Sequence, residues 1–270
     1  CLNLIAKVPV LVAAIYRLRE GWGEPIESRD DLTYMANFVH MLGIPGMTDQ
    51  GNADLVALMR VFDVLHMDHG GGNLSTFAGK AAASGLADMY ESLTAAMCGL
   101  AGPRHGKANQ ECLKFVEECV HAVGGLLSQE TVEAVLRQRL QNKQLIYGFG
   151  HAVLRVEDPR ATVLIELGEK ICPDSVNYRM VRLLREGGPK VLGADPRISN
   201  PYPNVDLVSG TLLANAGLKD PDYYTVLFGM SRVVGIAIQI VYERTQARHG
   251  KGTPIIRPKY IYDERGSAAS

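Results

Sequence analysis

The run from Tyr223 to Tyr242 is apolar almost throughout, yet Arg232 falls near its middle. It is long enough to cross a bilayer, but a guanidinium at the centre of the hydrocarbon costs about 2.5–3.5 kcal/mol on insertion scales. The run is therefore read as a buried helix of a large helical protein. A helix that is apolar all round needs neighbours all round, and the rest of the sequence offers more helices. Residues 1–19 are also apolar nearly all round, with Pro9 as an expected kink, which predicts burial on most faces. From Ser28, read as an N-cap, the residues Leu32, Met35, Phe38, Val39 and Leu42 form one helical stripe that stops at Gly43-Ile44-Pro45. Leu55, Leu58, Met59, Phe62 and Leu65 repeat the pattern. A segment of small residues follows, with Ala81, Ala82, Ala83, Gly85, Ala95, Ala96 and Gly99, and small residues allow helices to cross closely.

Cys112, Phe115, Val116, Cys119 and Val123 make a further stripe, ended by Gly124-Gly125, and the next helix runs from Ser128 to about Leu140. Helices are expected after Asp158 and Asp174, and Gly187-Gly188-Pro189 reads as a boundary. A short helix from Asp206 to about Ala216 precedes the long one, which spans Asp220-Pro221 to about Arg244 and gives way to a polar tail. No stretch alternates like a strand. The fold class is all-α.

Lys plus Arg number 28 and Asp plus Glu 29, so the net charge of −1 gives no global field to recruit nucleic acid or an acidic membrane. Any anion has to be bound locally. The five cysteines contain no C-x-x-C pair and cannot all close into internal bridges, so they read as reduced thiols, with Cys112 and Cys119 on one core-facing side of a helix. No H-E-x-x-H, cysteine cluster, G-x-S-x-G elbow, P-loop or dinucleotide fingerprint is present, and no metal is expected. Cys1-Leu-Asn-Leu-Ile-Ala-Lys-Val-Pro is neither a basic apolar signal nor an Arg-rich presequence. It is already helix-like, as in a chain entered mid-fold.

The chemistry-bearing residues share one style, an ionisable group beside glycines or at a helix end. They lie in Asp68-His69-Gly70-Gly71-Gly72-Asn73, in Gly102-Pro103-Arg104-His105-Gly106, in Asn204-Val205-Asp206, in Ser231-Arg232 and in Arg257-Pro258-Lys259. The richest is Gly148-Phe149-Gly150-His151-Ala152-Val153-Leu154-Arg155-Val156-Glu157-Asp158-Pro159-Arg160. Asp158 is a good N-cap and Pro159 suits the first helical position, which puts Arg160 in a first turn whose free N–H groups favour an anion. Each motif alone reads equally well as a cap or turn. His66 sits on the apolar side of its helix and reads as a hydrogen-bonded core histidine. A set of histidines, an aspartate and arginines permits removal of a weakly acidic C–H proton by the carboxylate, with histidine N–H groups stabilising developing charge on oxygen and arginines holding a dicarboxylate.

These motifs, in this order, resemble those of the citrate synthase family across nearly the whole chain, in style nearest the mitochondrial type. The resemblance implies a large helical domain, residues 1–105 and 218–270, interrupted by a small one, residues 106–217. It implies an acyltransferase that condenses acetyl-CoA with oxaloacetate and hydrolyses citryl-CoA to citrate and CoA, a step of the tricarboxylic acid cycle, with no permanently bound cofactor. Asp206 would take the acetyl methyl proton, His105 would donate to the thioester oxygen of the enol, and His151 would polarise the oxaloacetate carbonyl. His69, Arg160 and Arg232 would hold oxaloacetate, joined by Arg257 from the second subunit of a homodimer, while Arg155 would contact a CoA phosphate. The mitochondrial matrix is the implied location, with the bacterial cytoplasm as alternative.

The sequence departs from the family in three places. Gly70 stands where many relatives have Glu, Tyr147 stands where proline is common, and the family's helical N-terminal portion is absent from this sequence. Two other readings stay open: a 2-methylcitrate synthase using propionyl-CoA, since one methylene shifts selectivity by only about 1–3 kcal/mol, and an inert structural fragment of the same fold.

Overall fold

The computed structural model describes residues 1–259, and the last residues of the polar tail lie outside the described part. Eleven α-helices make up the described chain: α1 (Leu2–Glu20), α2 (Tyr34–Leu42), α3 (Asp49–Met67), α4 (Leu74–Ser84), α5 (Met89–Leu100), α6 (Ala108–Ala122), α7 (Gln129–Gln141), α8 (Pro159–Ile171), α9 (Val176–Leu192), α10 (Asp206–Asn215) and α11 (Tyr224–Thr245). A single 3-10 turn, Pro221–Tyr223, leads into α11. No strand occurs among the described residues. The fold is all-α.

The apolar run becomes α11, and 67% of its most apolar window is buried within the fold. It packs against α1, α3, α4, α5 and α6. In the core Phe38, Leu42, Leu55, Leu58, Met59 and Phe62 are sealed from solvent, as is Leu227 of α11, so the stripes on α2 and α3 face inward as their spacing requires. Gly79 explains the small-residue segment: a Cβ there would meet Ala96 Cβ, Ile236 Cγ2 and the Ser92 carbonyl, all at 3.1 Å, so α4 can lie directly on α5 and α11. Cys112 and Cys119 are buried free thiols, and no disulfide forms. His66 is fully buried, its Nδ1 lying 2.8 Å from the Phe62 carbonyl and its ring stacked on Phe62.

The structure corrects three readings. Helix α2 starts at Tyr34 with Thr33 as N-cap, not at Ser28. The buried Arg17 side chain holds the preceding segment outside any helix, donating to the carbonyls of Glu24 at 2.9 Å and Leu42 at 2.7 Å, while Asn37 accepts from the Arg29 amide at 3.0 Å. Helix α1 is not buried on most faces, because Leu11, Ile15 and Leu18 are 60%, 49% and 64% exposed. Only the side with Val12, Ala13 and Tyr16 is covered.

The third correction concerns Gly187-Gly188-Pro189, which α9 runs straight through. Those glycines mark close approach rather than a break. A Cβ on Gly188 would sit 2.1 Å from the Phe149 ring, and one on Gly187 would sit 2.4 Å from the Gln129 amide. Pro189 falls within the last turn.

This contrast is testable. Gly188→Ala has to push aside a packed aromatic ring and should cost about 1–3 kcal/mol, lowering Tm by roughly 3–10 °C. Gly187→Ala displaces only the end of a flexible side chain and should leave Tm within about 2 °C, helped by its lower unfolded-state entropy. Equal effects in thermal unfolding would show that the Phe149 contact does not govern this position.

Candidate active site

The first component is the loop between α3 and α4. Asn73 caps α4, its Oδ1 accepting from the Thr76 amide at 3.2 Å and the Ser75 hydroxyl at 2.9 Å, while its Nδ2 donates to the Gly70 carbonyl at 2.7 Å. One side chain thus sets both the helix start and the curl of the loop that presents His69. His105, in the turn after α5, has its Nε2 2.9 Å from Ser75 Oγ and 3.4 Å from the Ser75 amide. The amide is a fixed donor, so it selects the tautomer with the proton on Nδ1, and the single Ser75 hydroxyl proton is then shared between His105 Nε2 and Asn73 Oδ1. Burial, with Arg232 and His69 nearby, lowers the His105 pKa to about 4, so the ring is neutral at physiological pH.

The second component is the 148–158 loop, fastened to the approach to α10. Phe149 and Pro203 form an isolated antiparallel bridge, with the Gly150 amide donating to the Tyr202 carbonyl at 3.0 Å and the Asn204 amide to the Gly148 carbonyl at 2.9 Å. Asn204 Nδ2 adds a bond to the Gly150 carbonyl at 2.9 Å, and its Oδ1 accepts from the Asp206 amide at 3.0 Å. Gly148 has φ of 81°, and a Cβ there would lie 2.8 Å from Leu207 Cα, so this position needs glycine for both reasons. His151 and Asp206 are therefore placed by one small hydrogen-bonded unit.

Within that loop the amides of Val153 and Leu154 both donate to His151 Nδ1 at 3.0 Å. The His151 proton must then sit on Nε2, which faces His69 Nε2 at 3.0 Å. Burial and the positive charge of Arg160 lower the pKa of both rings. The Asp206 carboxyl, at the first position of α10, has no side-chain hydrogen bond among the described residues, and burial raises its pKa to about 7. Such a group can take or release a proton near neutrality.

Arginines complete the cluster. Asp158 caps α8 as expected, accepting from the Arg160 amide, and Arg160 pairs back onto it through Nε at 3.0 Å and Nη2 at 2.7 Å. Burial opposes ionisation of Asp158, but these bonds outweigh it and hold the carboxyl below its usual range. Arg232 is 1% exposed. Its Nε donates to the His66 carbonyl at 2.7 Å, its Nη1 to Asn73 Oδ1 at 3.3 Å, and its guanidinium lies over the Phe228 ring at 4.7 Å. Nη2 is buried with no partner. Burial, reinforced by Arg160, lowers the Arg232 pKa to about 10, which leaves it charged. A buried guanidinium with an unused N–H calls for an anion.

The remaining expected residues lie at or beyond the edge. Arg155 is exposed and folds over the carbonyls of its own loop, including Leu154 at 2.8 Å. Beside that loop a cleft of about 370 Å³ opens, lined by Phe149, His151, Leu145, Ile146, Arg197 and Asn200. Arg257 is exposed and makes no hydrogen bond or ion pair with any described residue. Sequence reasoning missed Ser75, which orients His105, and Asn200, whose Nδ2 holds the Leu154 carbonyl at 2.7 Å. Neither carries a local motif, although Ser75 stands two residues after the Asn73 cap.

The match to known proteins decides the family. The family model described as citrate synthase, C-terminal domain, covers residues 1–259. The chain belongs to the citrate synthase family. It is 41% identical over 261 residues to citrate synthase 4, mitochondrial, from Arabidopsis thaliana, a match spanning 97% of this chain and 53% of that protein. It is 40% identical to the mitochondrial 2-methylcitrate synthase of Yarrowia lipolytica, over 98% of this chain and 55% of that one. Among solved structures, the citrate synthase of Thermoplasma acidophilum in ternary complex with carboxymethyl coenzyme A and oxaloacetate superposes with a TM-score of 0.79 at 26% identity, over 99% of this chain and 66% of that one. The chain thus spans about half the length of the curated relatives it matches.

The raised Asp206 pKa has a checkable consequence. A carboxyl whose folded pKa lies above its unfolded value of 3.8 favours the fold when protonated, and that stability is lost as pH rises from about 4 through about 7. Asp206→Asn, which cannot ionise, should therefore match the parent near pH 4 and exceed its Tm by roughly 5–15 °C above pH 7. Calorimetry across that range reads it out. Parallel curves would mean that Asp206 is ordinary in its ionisation.

Proposed function

We propose that this chain carries the catalytic centre of a citrate synthase, condensing acetyl-CoA with oxaloacetate and releasing citrate and CoA. The observation that carries the reading is the unpartnered Nη2 of buried Arg232, whose charge acts with that of Arg160 on His69, the partner of His151, and which is joined to His105 through Asn73 and Ser75. A small dicarboxylate supplies the acceptor that Arg232 Nη2 lacks and can take over the N–H groups that His151 and Arg160 now spend on His69 and Asp158. In this reading Asp206 removes a proton from the acetyl methyl group, and His105 Nδ1–H stabilises the charge that develops on the thioester oxygen. The enol carbon then bonds to the ketone carbon of oxaloacetate while His151 Nε2–H protonates its oxygen. Water cleaves the resulting thioester, and CoA leaves as the thiol. His69, Arg160 and Arg232 hold the dicarboxylate, and Arg155 meets a CoA phosphate at the mouth of the cleft beside its loop.

The same reading assigns residues 1–105 and 218–270 to a large domain and 106–217 to a small one. His69 and Arg232 then face His151, Arg160 and Asp206 across a closing cleft that excludes water. The mitochondrial names of the curated relatives support the mitochondrial matrix as location, and bacterial citrate synthase among the structural neighbours keeps the bacterial cytoplasm as the alternative.

The 2-methylcitrate synthase relative favours one competitor, condensation of propionyl-CoA by the same residues. Thiol release from oxaloacetate with each thioester separates the two. The expected outcome is a higher kcat/KM for acetyl-CoA than for propionyl-CoA, and the reverse order assigns the competing activity. Absence of thiol release with either would favour an inert structural fragment.

Arg257 is proposed to act across the two-fold axis of a homodimer. Ile256, next to it, is fastened at the end of α4 remote from the His69 loop, and that eleven-residue helix is ~16 Å long. Mixing Asp206→Ala and Arg257→Ala proteins under conditions of subunit exchange tests this. Hybrid dimers would carry one doubly damaged and one intact site, so about a quarter of wild-type activity should return. If Arg257 serves its own subunit, mixing restores nothing.

A further inference from the structure

The segment after α11 is built like a strap rather than a loose tail. The Ala247 amide donates back to the Tyr242 carbonyl at 3.1 Å and the Gly252 amide to the Ala247 carbonyl at 3.2 Å, so the chain reverses as soon as α11 ends. It then returns to the C-terminal end of α4. There the Ile256 amide donates to Ser84 Oγ at 2.8 Å. The Ser84 hydroxyl is oriented for this, since its own proton goes to the Ala81 carbonyl at 2.7 Å and leaves the oxygen lone pairs to receive the amide.

Arg244, in the last turn of α11, reinforces the same spot. Its Nη2 donates to the Ala83 carbonyl at 3.1 Å and also to the Ala87 carbonyl, so it spans the tight turn in which Leu86 takes a φ of 67°. Two points twelve residues apart, 244 and 256, are thereby tied to one helix end. Ile255 is 68% exposed, whereas Ile256 is partly buried and is also held by its backbone hydrogen bond.

We propose that Ser84 is a positioning residue for Arg257, with Arg244 stiffening the post on which Ser84 stands. Arg257 follows the anchored amide directly, and Pro258 limits the backbone after it, so fixing Ile256 fixes where the guanidinium starts. An arm anchored in this way presents its charge with less conformational entropy to lose on binding. The inference rests on the reading that Arg257 contacts the dicarboxylate, and the test separates the two.

Ser84→Ala, Ser84→Thr, Arg257→Ala and the double variant Ser84→Ala/Arg257→Ala are compared with the parent chain by calorimetric titration with oxaloacetate, by kcat, and by hydrogen exchange at the Ile256 amide. Ser84→Ala should speed that exchange and weaken oxaloacetate affinity about three- to tenfold, the net worth of one hydrogen bond, with kcat at saturation within twofold. Ser84→Thr, which keeps the hydroxyl, should restore both. In the Arg257→Ala background Ser84→Ala should weaken affinity no further. The proposal is overturned if Ser84→Ala costs the same with or without Arg257, since it then acts through α4, or if exchange quickens while affinity stays unchanged. Unchanged affinity in Arg257→Ala instead removes the dicarboxylate role of Arg257 and the positioning role with it, and the exchange data then report only whether Ser84 anchors the arm.

Discussion

A full positive charge buried at the centre of an apolar helix is the constraint on which the rest depends. Arg232 could not stay there without acceptors, and the fold supplies two of them from different places: the carbonyl of His66 on α3 and the side chain of Asn73 at the start of α4. That demand ties α11 to α3 and α4 at the same depth. The acceptor on α3 is the backbone carbonyl of His66, whose ring bonds separately to the Phe62 carbonyl of its own helix. Asn73 is shared three ways, between helix cap, loop closure and guanidinium, so the charge and the local backbone geometry cannot be altered separately.

The second half of the site obeys a different constraint. Its loop has no helix to hold it, so its backbone groups find partners in the 200–204 segment, and His151 has its tautomer set by two amides of its own turn. Rigidity here comes from these hydrogen bonds together with the packing of Phe149 against Gly188. Glu157 extends the same scheme to α9. Burial works against its ionisation, but Arg185 and Thr162 hold its carboxyl below the usual range and so fasten the residue beside the Asp158 cap.

What could be read from the sequence follows this division. Periodicity gave the helices whose burial depends on one face, such as α2, α3 and α6, and the Asp158-Pro159 start of α8 was legible because capping is a local matter of one side chain and two amides. The features that misled depend on distant contacts. Gly188 looks like a breaker until the Phe149 ring is seen against it, and Ser28 looks like a cap until Arg17 is seen holding the segment extended. The uncovered side of α1 could not be foreseen, because an apolar residue reads the same whether or not a neighbour covers it. In the site, His105 and Asp206 stood out by their settings, whereas Ser75 and Asn200 matter only through whom they meet across the fold.

The side chains of the cluster spend many of their hydrogen-bonding groups on one another. His151 gives its Nε2 proton to His69, and Arg160 spends both of its facing N–H groups on Asp158. A ligand therefore has to outcompete bonds that exist as well as satisfy the one open N–H of Arg232. Only a molecule whose acceptors replace the lost partners in number and in charge gains by entering, while a neutral or singly charged analogue breaks good contacts for poorer ones. Apart from the open Nη2 of Arg232, discrimination then arises from exchange of one set of partners for another, and the protein's own contacts act as the reference competitor against which every ligand is judged.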